Sequence, residues 1–251
     1  MDQFVRTRML LGDEGLDRLR QARVAVFGVG GVGGYAAEAL ARSGVGALDL
    51  FDDDRVALSN LNRQILALHS TLDRPKTEAL GARLLDINPS LDLRTRQLFY
   101  LPASADEVDL SVYDWVADAV DTVSAKLELA VRCFQLGVPL ISALGAGNRL
   151  DPTRLRVGDL YETSGDGLAR VMRKELRRRG VPALRVVYST EPAVRPLGSA
   201  EDRRAGSGRR DVPGSAAFVP AAMGMTIAAE IVRALALRGA EPERMHDPGT
   251  P

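Results

Sequence analysis

What most restricts this chain is the order of residues from Val24 onward. An apolar run, Val24-Ala25-Val26-Phe27, leads directly into Gly28-Val29-Gly30-Gly31-Val32-Gly33. An unbroken apolar run suits a strand buried on both faces. Glycines behind it allow a tight turn and let backbone N–H groups approach a ligand. Residues 31–43 then read as a helix, and Ala36, Ala37, Leu40 and Ala41 give it a small-residue face for close contact with a sheet. Strand, glycine turn and helix together predict a βαβ unit and a parallel sheet.

The alternation continues downstream. Strands are expected at 47–51, 91–98, 115–119 and 139–142, with helices at 75–86, closed by Asn88-Pro89, and at 123–136, stopped by Gly137. After Gly147 the pattern changes. Residues 154–160 and 184–189 read as strands, 168–179 as a basic amphipathic helix, and 218–237 as a helix rich in small apolar residues. The expected fold class is α/β: a Rossmann-like, doubly wound, mostly parallel sheet with helices on both faces and an antiparallel C-terminal extension. One domain is expected, with a nucleotide-binding half at 1–147 and a substrate half at 148–251. The substrate half carries a mobile basic insert at 198–215, rich in Gly, Ser, Arg and Pro. The last helix approaches the length of a membrane span, but Glu230 and Arg233 interrupt it, so no stable membrane insertion is expected.

Composition excludes several chemistries. A single cysteine, Cys133, excludes an intramolecular disulfide and a zinc site built from several cysteines. Two histidines, His69 and His246, argue against a histidine-rich metal site, and no zinc is expected. The first 23 residues are polar and mixed, unlike a signal peptide. A reducing cytoplasm fits these features. Net charge is zero, yet residues 170–210 hold twelve basic residues against four acidic ones. Such a patch would attract a phosphate backbone; a solvated helix face followed by a basic loop is the alternative. Only three lysines, Lys76, Lys126 and Lys174, stand among thirty-three cations. In a chain so biased to arginine, a retained lysine draws attention.

The candidate chemistry gathers behind the glycine loop. Asp52 lies nineteen residues past Gly33, where a carboxylate can accept ribose hydroxyls. Loop and acid alone read as a nicotinamide or flavin site. The segment Ser59-Asn60-Leu61-Asn62-Arg63-Gln64 and then Lys76 point elsewhere. A triphosphate carries more charge than a dinucleotide pyrophosphate and calls for added arginine and lysine. Arg63 and Lys76 would supply it, with Asn60 and Gln64 as neutral donors; the alternative is surface charge and a turn residue. Asp118 and Asp121 end the 115–121 stretch. An acid just past a parallel strand points into the ligand crevice and can hold Mg²⁺ on phosphate oxygens. Capping of the helix that starts near Thr122 is the other role open to Asp121.

These motifs resemble a known family. The G-V-G-G-V-G loop, F-D-D-D, S-N-L-N-R-Q, Lys76 and the D-A-V-D turn are similar to the adenylating fold of ubiquitin-activating enzymes and the MoeB and ThiF proteins. The resemblance implies that Gly28, Gly30, Gly31 and Gly33, with Asp52, hold the adenosine side of ATP. It implies that Asn60, Arg63 and Lys76 hold the phosphates and that Asp121 holds Mg²⁺; Asp54, Ser59 and Gln64 complete the candidate ATP-binding residues. Arg6, in F-V-R-T-R, matches an arginine offered to the neighbouring subunit, which implies a homodimer. Arg63, Lys76, Asp121 and Arg6 are thus the catalytic candidates.

The second half narrows the branch. The runs L-G-A-G-N-R-L-D-P-T, V-Y-S-T-E-P and A-F-V-P-A-A-M-G resemble the tRNA threonylcarbamoyladenosine dehydratases. That branch implies ATP-dependent activation of the threonylcarbamoyl carboxylate on a tRNA adenosine beside the anticodon, then ring closure with net loss of water. The alternative is an adenylyltransferase for the C-terminal glycine of a ubiquitin-like sulfur carrier. The resemblance leaves room for a monovalent cation, K⁺ or Na⁺, and adds a cysteine desulfurase or sulfur acceptor to the candidate partners beside tRNA. Cys133 lies mid-helix between Val131 and Phe134, a setting for a structural thiol rather than an acyl acceptor. Gly145 and Asn148 are candidates for the acyl site, as are Ser189, Thr190 and Glu191; Arg177, Arg178 and the 198–215 insert are candidates for tRNA contact. Two departures from the family pattern sit near the phosphate segment: Leu66 where a histidine is expected, and Leu72-Asp73-Arg74 in place of a glycine-bearing turn.

Overall fold

Phe27 of the first strand meets Phe51 on one side and Asp118 on the other, and Asp118 in turn meets Ser142. Four parallel strands therefore finish at one level, and everything that follows them opens into one crevice. In the computed structural model, which describes residues 2–197 and 213–237, these strands belong to a seven-stranded sheet. Its strands are β1 (Arg23–Phe27), β2 (Ala47–Phe51), β3 (Asp92–Arg96), β4 (Trp115–Asp118), β5 (Leu140–Ala143), β6 (Leu155–Asp159) and β7 (Arg185–Ser189). They are ordered β3-β2-β1-β4-β5-β7-β6. All neighbours are parallel except β6, which runs antiparallel to β7. The C-terminal extension is thus antiparallel only at its outer edge, because β7 continues the parallel sheet.

Six helices are described: α1 (Val5–Gln21), α2 (Gly33–Ser43), α3 (Lys76–Ile87), α4 (Val123–Leu136), α5 (Gly167–Arg178) and α6 (Phe218–Ala236). The central strands β1, β2, β4 and β5 are buried on both faces, and β1 shows why its run had to be wholly apolar. Val24 and Val26 point into a core shared with α2, α3 and α6, while Ala25 and Phe27 point into a second core under α4 and α5. Each fully buried Val, Leu or Phe in these layers contributes roughly 1.5–3 kcal/mol. Phe27 stacks on Phe51 with centroids 4.4 Å apart, and the Tyr100 ring meets Phe27 edge-on at 4.9 Å.

α6 is long and apolar enough to cross a membrane by length and composition. Here Val219, Met223, Ile227, Ile231 and Leu235 are buried in the core beside α2, and Glu230 takes a bond of 2.8 Å from Arg185 Nε. Arg18 of α1 closes its far end, donating from Nε to the Ala236 carbonyl at 3.0 Å. α1 had no counterpart in the sequence reading. It bends at Gly12, buries only Gly15, Leu16 and Leu19, and so lacks a strong apolar period. The 198–212 part of the basic insert lies outside the described residues; residues 213–215 are described and border the crevice.

Candidate active site

The crevice at the C-terminal ends of β1, β2, β4 and β5 holds a cavity of about 480 Å³, within the range of small-molecule sites. Gly28 opens it with φ +78°, and a Cβ there would stand 2.7 Å from the Ala119 carbonyl oxygen. A Cβ at Gly33 would run into the Gly28 carbonyl. These two positions admit only glycine, so the loop lies flat against the backbone that follows β4.

Asp52 locks the loop from the neighbouring strand. Its Oδ2 accepts from Val29 N at 2.8 Å and its Oδ1 from Asp54 N at 2.9 Å. Burial raises its pKa above the ordinary carboxylate range, opposed by the nearby Lys76 charge and the two backbone donors. Lys76, the first residue of α3, is buried, with Nζ 2.6 Å from Asp54 Oδ2 and 3.9 Å from Asp52 Oδ1. Asp54 is 65% exposed, so this pair is a weak one that a better anion can displace. Arg63 is half-buried over the loop, and Nη1 donates to the Ser59 carbonyl and to Asn62 Oδ1, each at 2.9 Å. Gln64 lies beneath it with a buried Oε1 that has no partner among the described residues. Asn60 is also buried; its Oδ1 accepts from Ala57 N at 3.0 Å and fixes the turn. Glycine loop, Asp52, Asp54, Asn60, Arg63, Gln64 and Lys76 all border the one cavity. Ser59 lends only its carbonyl, to Arg63.

Two acids stand at the end of β4 and just past it, and they differ. Asp121 is exposed on the cavity rim, where its only side-chain partner among the described residues is Thr122 Oγ1 at 3.3 Å. That donor is suited to a hard, oxygen-liganded cation. Asp118 is fully buried. Its Oδ2 accepts from Lys126 Nζ at 3.0 Å and from Ser142 Oγ at 2.6 Å. Lys126, 1% exposed, places its other two donors on Ser142 Oγ at 3.2 Å and the Ala143 carbonyl at 2.7 Å. This closed ion pair ties β4, α4 and β5 together under the cavity. Sequence reasoning named Asp118 without its partner; the signal was the scarcity of lysine, since Lys76 and Lys126 both border the site.

The two departures from the family pattern have local explanations. Leu66 is buried in the core rather than facing the cavity. Asp73 adopts φ +61°, so it takes the left-handed conformation that a glycine would otherwise supply.

The second-half candidates scatter. Gly145 borders the cavity. Asn148, at φ +58°, bonds instead to Gly214. Ser189, Thr190 and Glu191 are not among the cavity's lining residues. Glu191 accepts from Leu150 N and Asp151 N, both at 3.0 Å, and Ser189 Oγ accepts from Glu191 N at 3.1 Å, so these groups brace the 150–151 turn. Thr190 pairs with the Arg154 carbonyl. α5 does approach the site. Leu168 at its start borders the cavity, while Arg177, over the Tyr161 ring at 4.9 Å, and Arg178 lie about 15 Å further along the helix. Arg6 is exposed on α1 and does not border its own chain's cavity. Cys133 is buried, and burial together with the Asp118 charge pushes its thiol up to about 12. It is no thiolate at neutral pH.

The ThiF family model matches residues 4–247. The chain belongs to the ThiF family. Among its relatives there, tRNA threonylcarbamoyladenosine dehydratase of Bacillus subtilis is 39% identical over 98% of this chain and 99% of its own length. The Escherichia coli tRNA N6-threonylcarbamoyladenosine dehydratase TcdA, crystallised with AMP, has a TM-score of 0.85 at 32% identity, covering 95% of each chain. The sulfur carrier protein ThiS adenylyltransferase of E. coli is 40% identical, but over 57% of this chain and 59% of its own. This ThiF-family chain thus shares its whole length with the dehydratases, and only about half with the carrier-protein enzyme.

Proposed function

We propose that this chain activates the carboxylate of a threonylcarbamoyl group on tRNA with ATP and closes it into a ring. The observation that carries this reading is one cavity gathering a glycine cradle, a buried ribose-side carboxylate and two cations, in a chain whose full-length relatives bear the dehydratase name.

Along the crevice, Asp52 takes the ribose and the apolar wall of Leu98, Phe99 and Tyr100 takes the base. The phosphates lie over the glycine loop, within reach of Arg63 and Lys76. The substrate carboxylate oxygen attacks the α-phosphorus and pyrophosphate departs. Arg63 and Lys76 neutralise the departing charge, Lys76 after release from Asp54. An internal nucleophile of the carbamoyl group then attacks the activated carbonyl carbon. AMP leaves with the former carboxylate oxygen and one proton is lost, so the net change is loss of water. Holding nucleophile and carbon together is the protein's main contribution to this second step. Mg²⁺ at Asp121 would add positive charge against the phosphate oxygens. The basic face of α5 would hold the tRNA backbone. A tRNA substrate suits a cytoplasmic reaction.

A homodimer completes the proposal. Arg6 would reach a neighbouring subunit's phosphates, and Met9 and Leu10 beside it, 78% and 85% exposed, favour a covered α1 surface. Pyrophosphate release should require tRNA bearing threonylcarbamoyladenosine, and nucleoside mass spectrometry should show the product lighter by one water. Release driven instead by a ubiquitin-like carrier would overturn this reading.

A further inference from the structure

Pro213 and Ser215 border the cavity, and residues 213–215 belong to no strand or helix, so something must hold them there. Asn148 does so from one side. Its N–H donates to the Gly214 carbonyl at 2.7 Å, and its Oδ1 accepts from Gly214 N at 2.7 Å. Its own carbonyl accepts from Val194 N at 2.8 Å. Three bonds from one residue, held at φ +58°, join the loop after β5 to both flanking segments. Beside it, a Cβ on Gly147 would lie 2.8 Å from Pro213 Cβ, so the two segments pack without a gap. From the other side, Asn62 Nδ2 donates to the Ser215 carbonyl at 2.9 Å, next to Arg63. Residues 213–215 therefore bridge the loop after β5 and the phosphate segment, across the end of the cavity where an activated acyl group would lie.

We infer that Asn148 is a positioning residue that keeps water from the activated acyl carbon by docking residues 213–215 over it; this rests on the adenylation and ring closure proposed above. With the bridge in place, the internal nucleophile attacks that carbon, AMP leaves and a proton is lost. With the bridge loosened, a water oxygen attacks instead, AMP leaves, a proton is lost and the starting carboxylate returns. ATP is then spent without product.

The test measures AMP formed per cyclised nucleoside, using full-length protein and tRNA bearing threonylcarbamoyladenosine. Asn148→Gly keeps the backbone conformation and both backbone bonds but loses the side-chain acceptor. It should raise the AMP-to-product ratio roughly two- to tenfold, as expected for one hydrogen bond, with pyrophosphate release at its original rate. Asn148→Asp restores the acceptor and should return the ratio toward wild type. Gly147→Ala, whose Cβ would drive Pro213 away without touching the Asn148 side chain, should raise the ratio by a different route and decides the matter if Asn148→Gly fails to fold. A wild-type ratio in Asn148→Gly and Gly147→Ala overturns the inference, as does an Asp variant that is as uncoupled as the Gly variant. Wild-type protein that makes AMP but no cyclised nucleoside would instead defeat the proposed function.

Discussion

Replacing Lys126 by methionine keeps the length of the side chain and removes only its charge and donors. The residue left behind is Asp118, a carboxylate with no exposure, which would retain Ser142 Oγ at 2.6 Å and Val120 N at 3.2 Å as its donors. Removing one partner of a buried pair costs about 3–5 kcal/mol, because the other charge stays buried and uncompensated. For a chain of this size about 2–4 °C of melting temperature goes with each kcal/mol, so a fall of roughly 6–20 °C is expected. The two remaining donors favour the lower half of that range. The assay is calorimetric melting of the protein without nucleotide. The double variant Lys126→Met with Asp118→Asn strands no charge, and should regain much of the lost temperature. A Lys126→Met melting curve that overlays wild type would refute the reasoning, as would a double variant that melts below the single one.

Other outcomes follow from the same geometry. Cys133→Ala should leave turnover unchanged, because the thiol is buried and pushed up to about 12; a large loss in a folded variant would point to acyl transfer through sulfur. Glu38 is buried; burial pushes its pKa up, but hydrogen bonds from Arg83 and Arg42 outweigh this and hold it below 4.5. A depressed folded-state pKa stabilises above the unfolded value and loses that effect as pH falls through the folded one. Glu38→Gln should therefore cost about 1–3 kcal/mol at pH 7, a gap to wild type that closes as the pH falls through the depressed folded-state value. Neutralising Arg177, Arg178 and Arg179 together should weaken tRNA binding and flatten its salt dependence by up to about three contacts' worth of slope; an unchanged slope removes α5 from the interface.

The parts legible in the sequence were those where one residue type answers to one local constraint. The β1 run had to be apolar at every position because both of its faces are covered, and Gly28 and Gly33 had to be glycine because β4 and the loop itself leave no space for Cβ. Spacing placed Asp52, Arg63 and Lys76 near one crevice because parallel strands in register must end together. What stayed hidden depends on pairing across distant segments. Lys126 finds Asp118 and Ser142 only once α4 crosses β4 and β5. Glu191 is a polar residue in a suggestive position, yet two backbone N–H groups at 150–151 occupy its carboxylate. α1 is held by its ends and a short apolar face, which gives no period to read.

The central claim is that Lys76 and Arg63 exist to meet phosphate charge. Calorimetric titration of ATP and of adenosine into wild type and Lys76→Met tests it most directly. Charge-assisted hydrogen bonds are worth about 1.5–3 kcal/mol, so ATP affinity should fall by roughly ten- to a hundredfold, while adenosine affinity stays at its wild-type value. Equal loss for both ligands, or no loss for ATP, would contradict the account.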